Sequence, residues 1–401
     1  MSAVPNLLPT NRDENWRYAN LRPLAKARPD AVTPVEGLGV DLPAPLPGFA
    51  RWVYVDGHHA PWLSTLRGAA AEPLDTRSAG SAFASLLDGE IAGAGIDFAL
   101  SRINAARGEE VLHVARAGTG LANVEVIFVA SAAAARGTSY PRLQVQAPRG
   151  ARLNIVERHL SAGTADAAVN AAVDFALAPG AEVNHYRLQQ VADAASCFDT
   201  LTVHVAEGAT YRLRTVTLGG TASRSTIFVK LAGREARCEL TSAAVANHTQ
   251  AHDLFAEIDH AAPRTATREL FRGIATERGK LGFNGKMIVR ETAHDADSDQ
   301  SLKTLLNGSG AEAAVRPQLE IYTDKVRAKH GATTGKLDEQ MLFYLLSRGI
   351  DRPQAQALLQ WAFIEDAISQ VDLAPLRQEI EQLIAARLNE VSALDGLVVR
   401  A

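Results

Sequence analysis

The stretch RPQLEIYTDKVRAKHGATTGKLDEQMLFYLLSRGI, residues 316–350, marks where the periodicity of the chain changes. Before it, apolar residues mostly alternate with polar ones; after it, they recur at helical spacing. Within it, Leu319, Ile321 and Thr323 predict one face of a strand, which Val326 continues through a bulge. Residues 330–335, rich in Gly and Thr, predict a turn. The stretch therefore separates a strand-rich body from a helical end.

The residues after this turn predict three helices. Asp338 is the expected N-cap of the first helix and Gly349 its C′ glycine. Asp351 and Pro353 open the second helix, and the third begins near Pro375. The predicted apolar sides are, in order, Met341, Leu342, Leu345 and Leu346; Leu358, Leu359, Ala362, Phe363 and Ile368; and Leu376, Ile380, Leu383 and Ile384.

A weak repeat runs through the body of the chain. Short apolar strands lead repeatedly into turns that contain Gly150, Gly180, Gly208 and Gly233, which are 30, 28 and 25 residues apart. A period of this size is typical of a solenoid, in which each coil buries its apolar face on the next. Strand-rich coils without intervening helices favour a β-helix, although composition alone also permits a β-sandwich. Helical segments before residue 110 and after residue 337 are placed to cap its ends.

Composition excludes several classes of protein. The 401 residues carry a net charge of −4, which gives no general attraction to nucleic acid or acidic membranes. Hydrophobic runs stay below the roughly 20 residues that span a bilayer. Cys197 and Cys238 are too few for a thiolate zinc or iron–sulfur site within one chain. The N-terminus has no signal-peptide pattern, so we expect a soluble cytoplasmic protein.

Three regions follow from these patterns: residues 1–109, helical and mixed; residues 110–336, the β-helix core; and residues 337–401, helical. In the first region, residues 11–24 predict a helix anchored by Trp16, Leu21 and Leu24, and residues 51–57 a strand that ends in an Asp-Gly turn. Residues 81–106 look partly helical. Their apolar positions are Phe83, Leu86, Leu87 and Ile91.

Several motifs resemble those of the SufB/SufD family, and more closely its SufD branch. They are concentrated between residues 250 and 365. The matching residues are Asp259-His260, Thr267-Arg268, Phe271-Arg272-Gly273, Phe283-Asn284-Gly285-Lys286, Asp297, Gln300, Pro317-Gln318-Leu319-Glu320-Ile321, His330-Gly331-Ala332-Thr333, Leu337-Asp338-Glu339, Phe343-Tyr344-Leu345 and Ser347-Arg348-Gly349-Ile350. One position departs from the pattern, because Ala328 stands where SufD sequences commonly place a cysteine.

The resemblance implies a right-handed parallel β-helix with helical caps, and a non-enzymatic scaffold subunit for iron–sulfur cluster assembly. Such a subunit pairs with a SufB-like subunit through the end of the β-helix, and its C-terminal helices hold a SufC-like ABC ATPase. His330 matches the histidine that meets a SufB cysteine at that interface, where a transient cluster or iron is thought to sit. The isolated chain would hold no tightly bound cofactor and would form a homodimer.

The residues that we expect to contact the ATPase are Phe343, Tyr344, Arg348 and Arg352, because they lie along the first C-terminal helix and at the junction after it. Two other functions stay open. One is a β-helix carbohydrate-active enzyme, which would need clustered acids and aromatic residues; the other is a homodimeric interaction protein without a metal role. His248, His252 and His260 have the spacing of a helical metal site but lack its glutamate, so we interpret them as structural or surface histidines.

Overall fold

Two parallel β-sheets face each other across one continuous apolar interior. The structure is a computed structural model that describes residues 8–32, 37–65, 95–108, 110, 112–115, 121–135 and 137–388. Strands alternate between a 10-stranded and a 9-stranded sheet, so each pass of the chain adds one strand to each sheet. This architecture is a parallel β-solenoid of about 7 turns with helices towards the chain ends, which confirms the predicted fold class.

The strands, numbered in chain order, are β1 Ala50–Val55, β2 His58–His59, β3 Leu112–Ala115, β4 Leu121–Ala130, β5 Thr138–Ser139, β6 Arg142–Ala147, β7 Arg152–Ser161, β8 Ala168–Leu177, β9 Glu182–Gln190, β10 Ser196–Val205, β11 Thr210–Thr217, β12 Ala222–Leu231, β13 Arg237–Ala246, β14 Ala251–His260, β15 Ala266–Thr276, β16 Lys280–Val289, β17 Ala296–Asn307, β18 Glu312–Ile321 and β19 Val326–Gly335. The larger sheet has the order β19-β17-β15-β13-β11-β9-β7-β4-β1-β2. The smaller has the order β18-β16-β14-β12-β10-β8-β6-β3, with β5 beside β8. Because β1 pairs with β4, the solenoid sheet begins before residue 110.

Register carries the apolar alternation from coil to coil. Leu153, Val183, Tyr211 and Cys238 pair in succession on β7, β9, β11 and β13, and all four are buried in the interior. Residues that pair in a parallel sheet face the same side, so one apolar position per strand builds a continuous column. The alternation that predicted strands is therefore also what aligns the coils.

The repeated turns contain all four predicted glycines, and three of these glycines have a left-handed backbone conformation. Gly150, Gly180 and Gly208 have φ values of 67°, 69° and 63°, a backbone conformation that glycine adopts at no steric cost. The fourth turn also contains its predicted glycine, Gly233, but there Glu235, with φ 61°, takes the left-handed position. Gly233 serves close packing instead: a Cβ there would lie 2.0 Å from the backbone nitrogen of Glu207 in the preceding coil.

The N-terminal segment lies on the outer face of the 9-stranded sheet. The helix predicted for residues 11–24 is divided into a 3₁₀ turn, Glu14–Trp16, and a short helix, α1 Arg22–Lys26. Trp16 and Leu21 are buried there as predicted. The Trp16 ring stacks under the guanidinium of Arg224, 4.3 Å from Cζ to the ring centroid. Helix α2, Ala99–Arg107, contacts β8 and β10, whereas Phe83, Leu86, Leu87 and Ile91 lie outside the described residues.

The C-terminal helices are α3 Glu339–Ser347, α4 Arg352–Ile368 and α5 Ala374–Arg387. Their caps are as predicted. The Asp338 carboxylate accepts hydrogen bonds from the backbone N–H groups of Gln340 and Met341, Asp351 accepts one from Gln354, and Gly349 has φ 87°.

The predicted apolar sides of α3 and α4 need correction, whereas that of α5 is largely confirmed. In α3, Leu342 is buried but Met341 is exposed. In α4, Ile368 is buried, Leu358, Leu359 and Phe363 are half-buried, and Ala362 is exposed. The buried residues of α4 are Ala355, Ala357, Gln360, Ile364, Ala367 and Ile368. The buried side of α4 differs from the predicted one because the helix packs on a sheet partly through small residues, whereas the prediction relied on large apolar side chains.

Helices α4 and α5 pack along the outer face of the 10-stranded sheet, rather than over its last coil. Their apolar residues join strand residues such as Val216 and Ile274 in a second core. A buried guanidinium strengthens this contact: Arg158 of β7 donates two hydrogen bonds to Glu379 of α5, at 2.6 and 2.8 Å. Within the described residues, no helix is both long and apolar enough to cross a membrane.

Candidate functional site: the open end of the solenoid

Strands β18 and β19 form the last coil, and each is the outermost strand of its sheet. On β17, the inward-facing Gln300 and Leu302 are buried. Their in-register partners on β19, His330 and Ala332, are exposed because no further coil of the described residues covers them. The end of the solenoid therefore presents unpaired strand edges together with the rim of its interior.

The turn predicted for residues 330–335 was wrong. These residues belong to β19, which pairs with β17 from Ala296↔Val326 to Leu305↔Gly335. The turn lies instead at residues 322–325, between β18 and β19. Val326 therefore starts a new strand in the opposite sheet and does not continue β18 through a bulge. Gly and Thr occur in both turns and strands, and the ladder of hydrogen bonds to β17 makes this segment a strand.

His330 lies in the middle of this edge strand, and its side of the strand faces the rim of the interior. It pairs in register with Gln300, and Ala328 pairs in register with Ser298. Ala328 is half-buried and offers only a methyl group above the Ser298 hydroxyl. The inner face of β19 thus carries an imidazole, a type of side chain that can ligate a metal.

The outer face of β19 is positively charged. Arg327 lies 3.4 Å from a carboxylate oxygen of Asp297, which also accepts two hydrogen bonds from Arg268 at 3.0 and 3.1 Å. Hydrogen bonding to Arg268 holds the pKa of Asp297 below its usual range. Lys329 follows on the same face and is exposed. The terminal edge therefore combines an inward-facing imidazole with outward-facing cations.

Exposed apolar side chains concentrate near this end. Among the described residues, the large exposed hydrophobic side chains include Ile321 and Tyr322 beside the last coil, and Met341, Phe343 and Tyr344 on α3. Phe343 is 72% exposed, an unusual state for a phenylalanine in a folded protein. Met341, Phe343 and Tyr344 lie within about one turn of α3, and exposed apolar side chains grouped in this way are typical of a surface that another protein covers.

The four residues predicted to contact an ATPase lie on α3 and at its junction with α4. Arg348, at the end of α3, places its guanidinium carbon 5.1 Å from the centroid of the Tyr344 ring. Arg352 is exposed at the start of α4. The structure therefore brings Tyr344 and Arg348 into contact and leaves Phe343 and Arg352 exposed nearby in the chain.

The three candidate histidines of the body lie on or beside strand β14 and have separate partners. His252 is buried with Ser223, 2.8 Å away, and His260 with Thr265, also at 2.8 Å. His248 is exposed and contacts Glu277. In the part of the chain that the structure describes, no group of three His, Cys, Asp or Glu residues is placed to hold a metal ion.

Sequence analysis missed one buried carboxyl group near the open end. Glu269, on the inner face of β15, is 2% exposed, and burial raises the pKa of its side chain to about 8. Gln300 entered the sequence analysis only as part of the family motif, although it is the hydrogen-bond partner of Glu269. The alternation Thr267, Glu269, Phe271 contains the signal, since it places a carboxyl at an inward-facing position.

The fold and this end define a class of protein: a β-solenoid whose uncovered last coil and exposed α3 side chains fit association with other subunits. The comparison with known families identifies the class further. Residues 128–363 match the family model described as "SUF system FeS cluster assembly, SufBD core domain". The chain therefore belongs to the SufBD family of iron–sulfur cluster assembly proteins.

Individual relatives agree with this assignment. The iron-sulfur cluster assembly protein SufD of Escherichia coli is 26% identical over 396 residues, covering 95% of this chain and 89% of the relative. A SufBD family protein of Synechocystis is 29% identical over 257 residues, covering 62% of this chain and 56% of the relative. The chloroplastic protein ABCI7 of Arabidopsis thaliana is 29% identical over 245 residues, 60% of this chain and 51% of its own.

Proposed function

We propose that this chain is a non-enzymatic, cytoplasmic scaffold subunit of an iron–sulfur cluster assembly complex. The observation that carries the proposal is the open last coil, with unpaired strand edges and one exposed imidazole at its rim. Family membership supports this function over that of a carbohydrate-active enzyme. A plain interaction protein without a metal role is the remaining competitor, and the role of His330 separates the two.

The SufB-like subunit docks on β18 and β19. A strand edge with free N–H and C=O groups binds another strand through backbone hydrogen bonds, and the covered interior rim adds apolar contact. His330 then lies at the interface, where a neutral imidazole nitrogen can ligate iron supplied jointly with a thiolate of the partner. The cluster or iron is a transient cargo of the complex and is not held by this chain alone.

The SufC-like ATPase docks on α3 through Phe343, Tyr344, Arg348 and Arg352. Two exposed aromatic rings beside exposed guanidinium groups form the type of contact that carries most of the binding energy at protein interfaces. Leu342, on the opposite side of the same helix, is buried and anchors it to the body. The docking surface is therefore held by the fold without depending on the aromatic residues that it presents.

His330→Ala tests the metal role. Because His330 is exposed, the substitution should change the free energy of unfolding of the isolated chain by less than about 0.5 kcal/mol. The complex co-purified with SufB-like and SufC-like partners should lose most of its iron and sulfide, whereas its subunit composition stays the same. Full iron and sulfide content in the variant complex would favour an interaction protein without a metal role.

The double variant Phe343→Ser/Tyr344→Ser tests the ATPase surface. We expect the free energy of binding to the SufC-like ATPase to become less favourable by about 2 kcal/mol or more, because two exposed aromatic side chains are removed. Trp62→Ser is the matched control, since Trp62 is 48% exposed and lies far along the solenoid from α3. Calorimetry with the purified ATPase measures both; equal affinities for the double variant and the control would contradict this docking site.

A further inference from the structure

Three residues in consecutive rungs lead from the open end into the interior. Glu269 on β15 pairs in register with Gln300 on β17, and Gln300 pairs in register with His330 on β19. All three belong to the inner face of the 10-stranded sheet. Glu269 and Gln300 are each 2% exposed, so this is a buried polar line that ends at the exposed imidazole.

The side-chain amide of Gln300 is held in one orientation. Its Nε2 donates to Glu269 Oε2 at 2.7 Å and to the carbonyl oxygen of Gly285, on the opposite sheet, at 3.2 Å. Gly285 makes room for the pair, because a Cβ there would lie 2.8 Å from Glu269 Oε2 and 2.9 Å from Gln300 Nε2. Both donor contacts of the amide are therefore directed away from β19.

The carbonyl end of the same amide has no partner. Gln300 Oε1 is buried, and no hydrogen-bond donor in the described part of the chain contacts it. A buried acceptor without a partner is unfavourable by about 1–3 kcal/mol, so a donor that reaches it is favoured. The imidazole of His330 is the side chain on the next rung, and adjacent strands are only about 4.8 Å apart.

We propose that Gln300 is the positioning residue for His330: its Oε1 accepts the hydrogen of one ring nitrogen when a docked partner turns the imidazole inward. This inference rests on the proposed function of His330 as an iron ligand. Histidines that ligate metals usually donate their other ring N–H to a carbonyl or carboxylate oxygen, which sets the tautomer and the direction of the lone pair. Glu269 acts one rung deeper, because it engages the amide nitrogen and leaves only the oxygen for His330.

The test measures Fe²⁺ affinity in the co-purified complex, by anaerobic titration with ferrous iron alone against a competing chelator. Gln300→Leu should weaken Fe²⁺ binding about tenfold, the usual effect of removing the hydrogen-bond partner of a ligating histidine. Gln300→Glu retains an acceptor oxygen and should bind within about twofold of the wild type. Ser298→Ala, on the same inner wall under Ala328, is the matched control and should bind like the wild type.

The double variant Gln300→Leu/His330→Ala separates the possible causes. If Gln300 acts through His330, Gln300→Leu produces no further loss in the His330→Ala background. The same loss in both backgrounds, or wild-type affinity in Gln300→Leu, overturns the positioning role while leaving His330 as a ligand. If His330→Ala alone binds Fe²⁺ normally, the proposed function itself fails. Should Gln300→Leu lower the melting temperature, Gln300→Met, of nearly the same length, replaces it in the comparison.

Discussion

Two buried glutamates of this solenoid, Glu157 and Glu269, differ in protonation state because their neighbours differ. Burial alone would raise the pKa of Glu157, but Arg187 and the histidines His159 and His185 hold it well below its usual range. Arg187 Nε donates to a Glu157 oxygen at 3.0 Å. Among the described residues, the hydrogen-bond partner of the Glu269 carboxyl group is the neutral amide of Gln300, so burial dominates and raises the pKa of Glu269 to about 8. At neutral pH, Glu157 is a carboxylate and Glu269 a carboxylic acid.

Glu269 should therefore make stability depend on pH. Its folded-state pKa lies above the unfolded value of about 4.3, so the native state binds the proton more tightly. The contribution of protonated Glu269 to the free energy of unfolding is fully present below the unfolded-state pKa. It falls as pH rises towards 8, by an amount on the order of 2–4 kcal/mol. Glu269→Gln should abolish that fall in urea unfolding between pH 5 and pH 8.5. Glu312→Gln, with an exposed side chain, is the control; an unchanged slope in Glu269→Gln would contradict the assignment.

At the scale of elements, the turns between coils set how closely successive rungs approach. Gly150, Gly180 and Gly208 occupy a left-handed backbone position, whereas Gly233 lies where two coils touch. These are different physical needs, and the same residue type serves both. In strand β19, by contrast, Gly331 and Gly335 have room for a side chain, because no described atom lies within 4 Å of where a Cβ would be placed.

The contrast gives a test of coil packing. In Gly233→Ala, the new methyl group would meet backbone atoms of Glu207 at 2.0 and 2.4 Å, and backbone cannot move aside as a side chain can. We expect a loss of about 1–3 kcal/mol in the free energy of unfolding, or more. Gly331→Ala is the matched control, with a change below about 0.5 kcal/mol. Chemical denaturation of both variants measures the difference, and equal stabilities would show that the coils do not approach this closely.

At the scale of the whole molecule, the outer faces of the two sheets are partly covered, whereas the last coil of the solenoid is uncovered in the described structure. The N-terminal segment covers part of the 9-stranded sheet, and α4 and α5 cover part of the 10-stranded sheet. Within the residues that the structure describes, the last coil has no such cover, and its inner residues Ala328, His330 and Ala332 are half-buried or exposed. An uncovered terminal coil favours association, either with a similar solenoid or with a second copy of the chain.

We therefore predict that the isolated chain is a homodimer joined through β18 and β19, with a mass in light scattering of twice 42.8 kDa. Ala332→Asp should produce monomers, because a partner coil would cover its inward-facing charge without neutralising it. Thr333→Asp, the next residue on the outer face, should leave more dimer. Both residues are exposed in the single chain, so neither change should lower its melting temperature by itself. A monomeric wild type at high micromolar concentration would contradict the dimer.

The sequence by itself determined the features that depend on neighbouring residues. Alternation of apolar and polar residues indicated strands, the period of about 30 residues indicated coils, and Asp338, Asp351 and Gly349 marked helix ends. The family motifs pointed to His330 and to the C-terminal helices as a docking region, within which Phe343 and Tyr344 are our own prediction. The alternation and the helix caps are each contained in a short window, and the period follows from comparing such windows along the chain, so all of these signals could be read without knowing what a segment contacts.

Only the tertiary structure decided the features that depend on residues far apart in the chain. Residues 330–335 form a strand because β17, about 30 residues earlier, offers them a ladder of hydrogen bonds. Helix α4 buries small residues because its partner is the face of a sheet. The line from Glu269 through Gln300 to His330 exists only because register aligns three strands. Strand pairing and register depend on residues far apart in the chain, and they bring these three side chains together at the end of the solenoid.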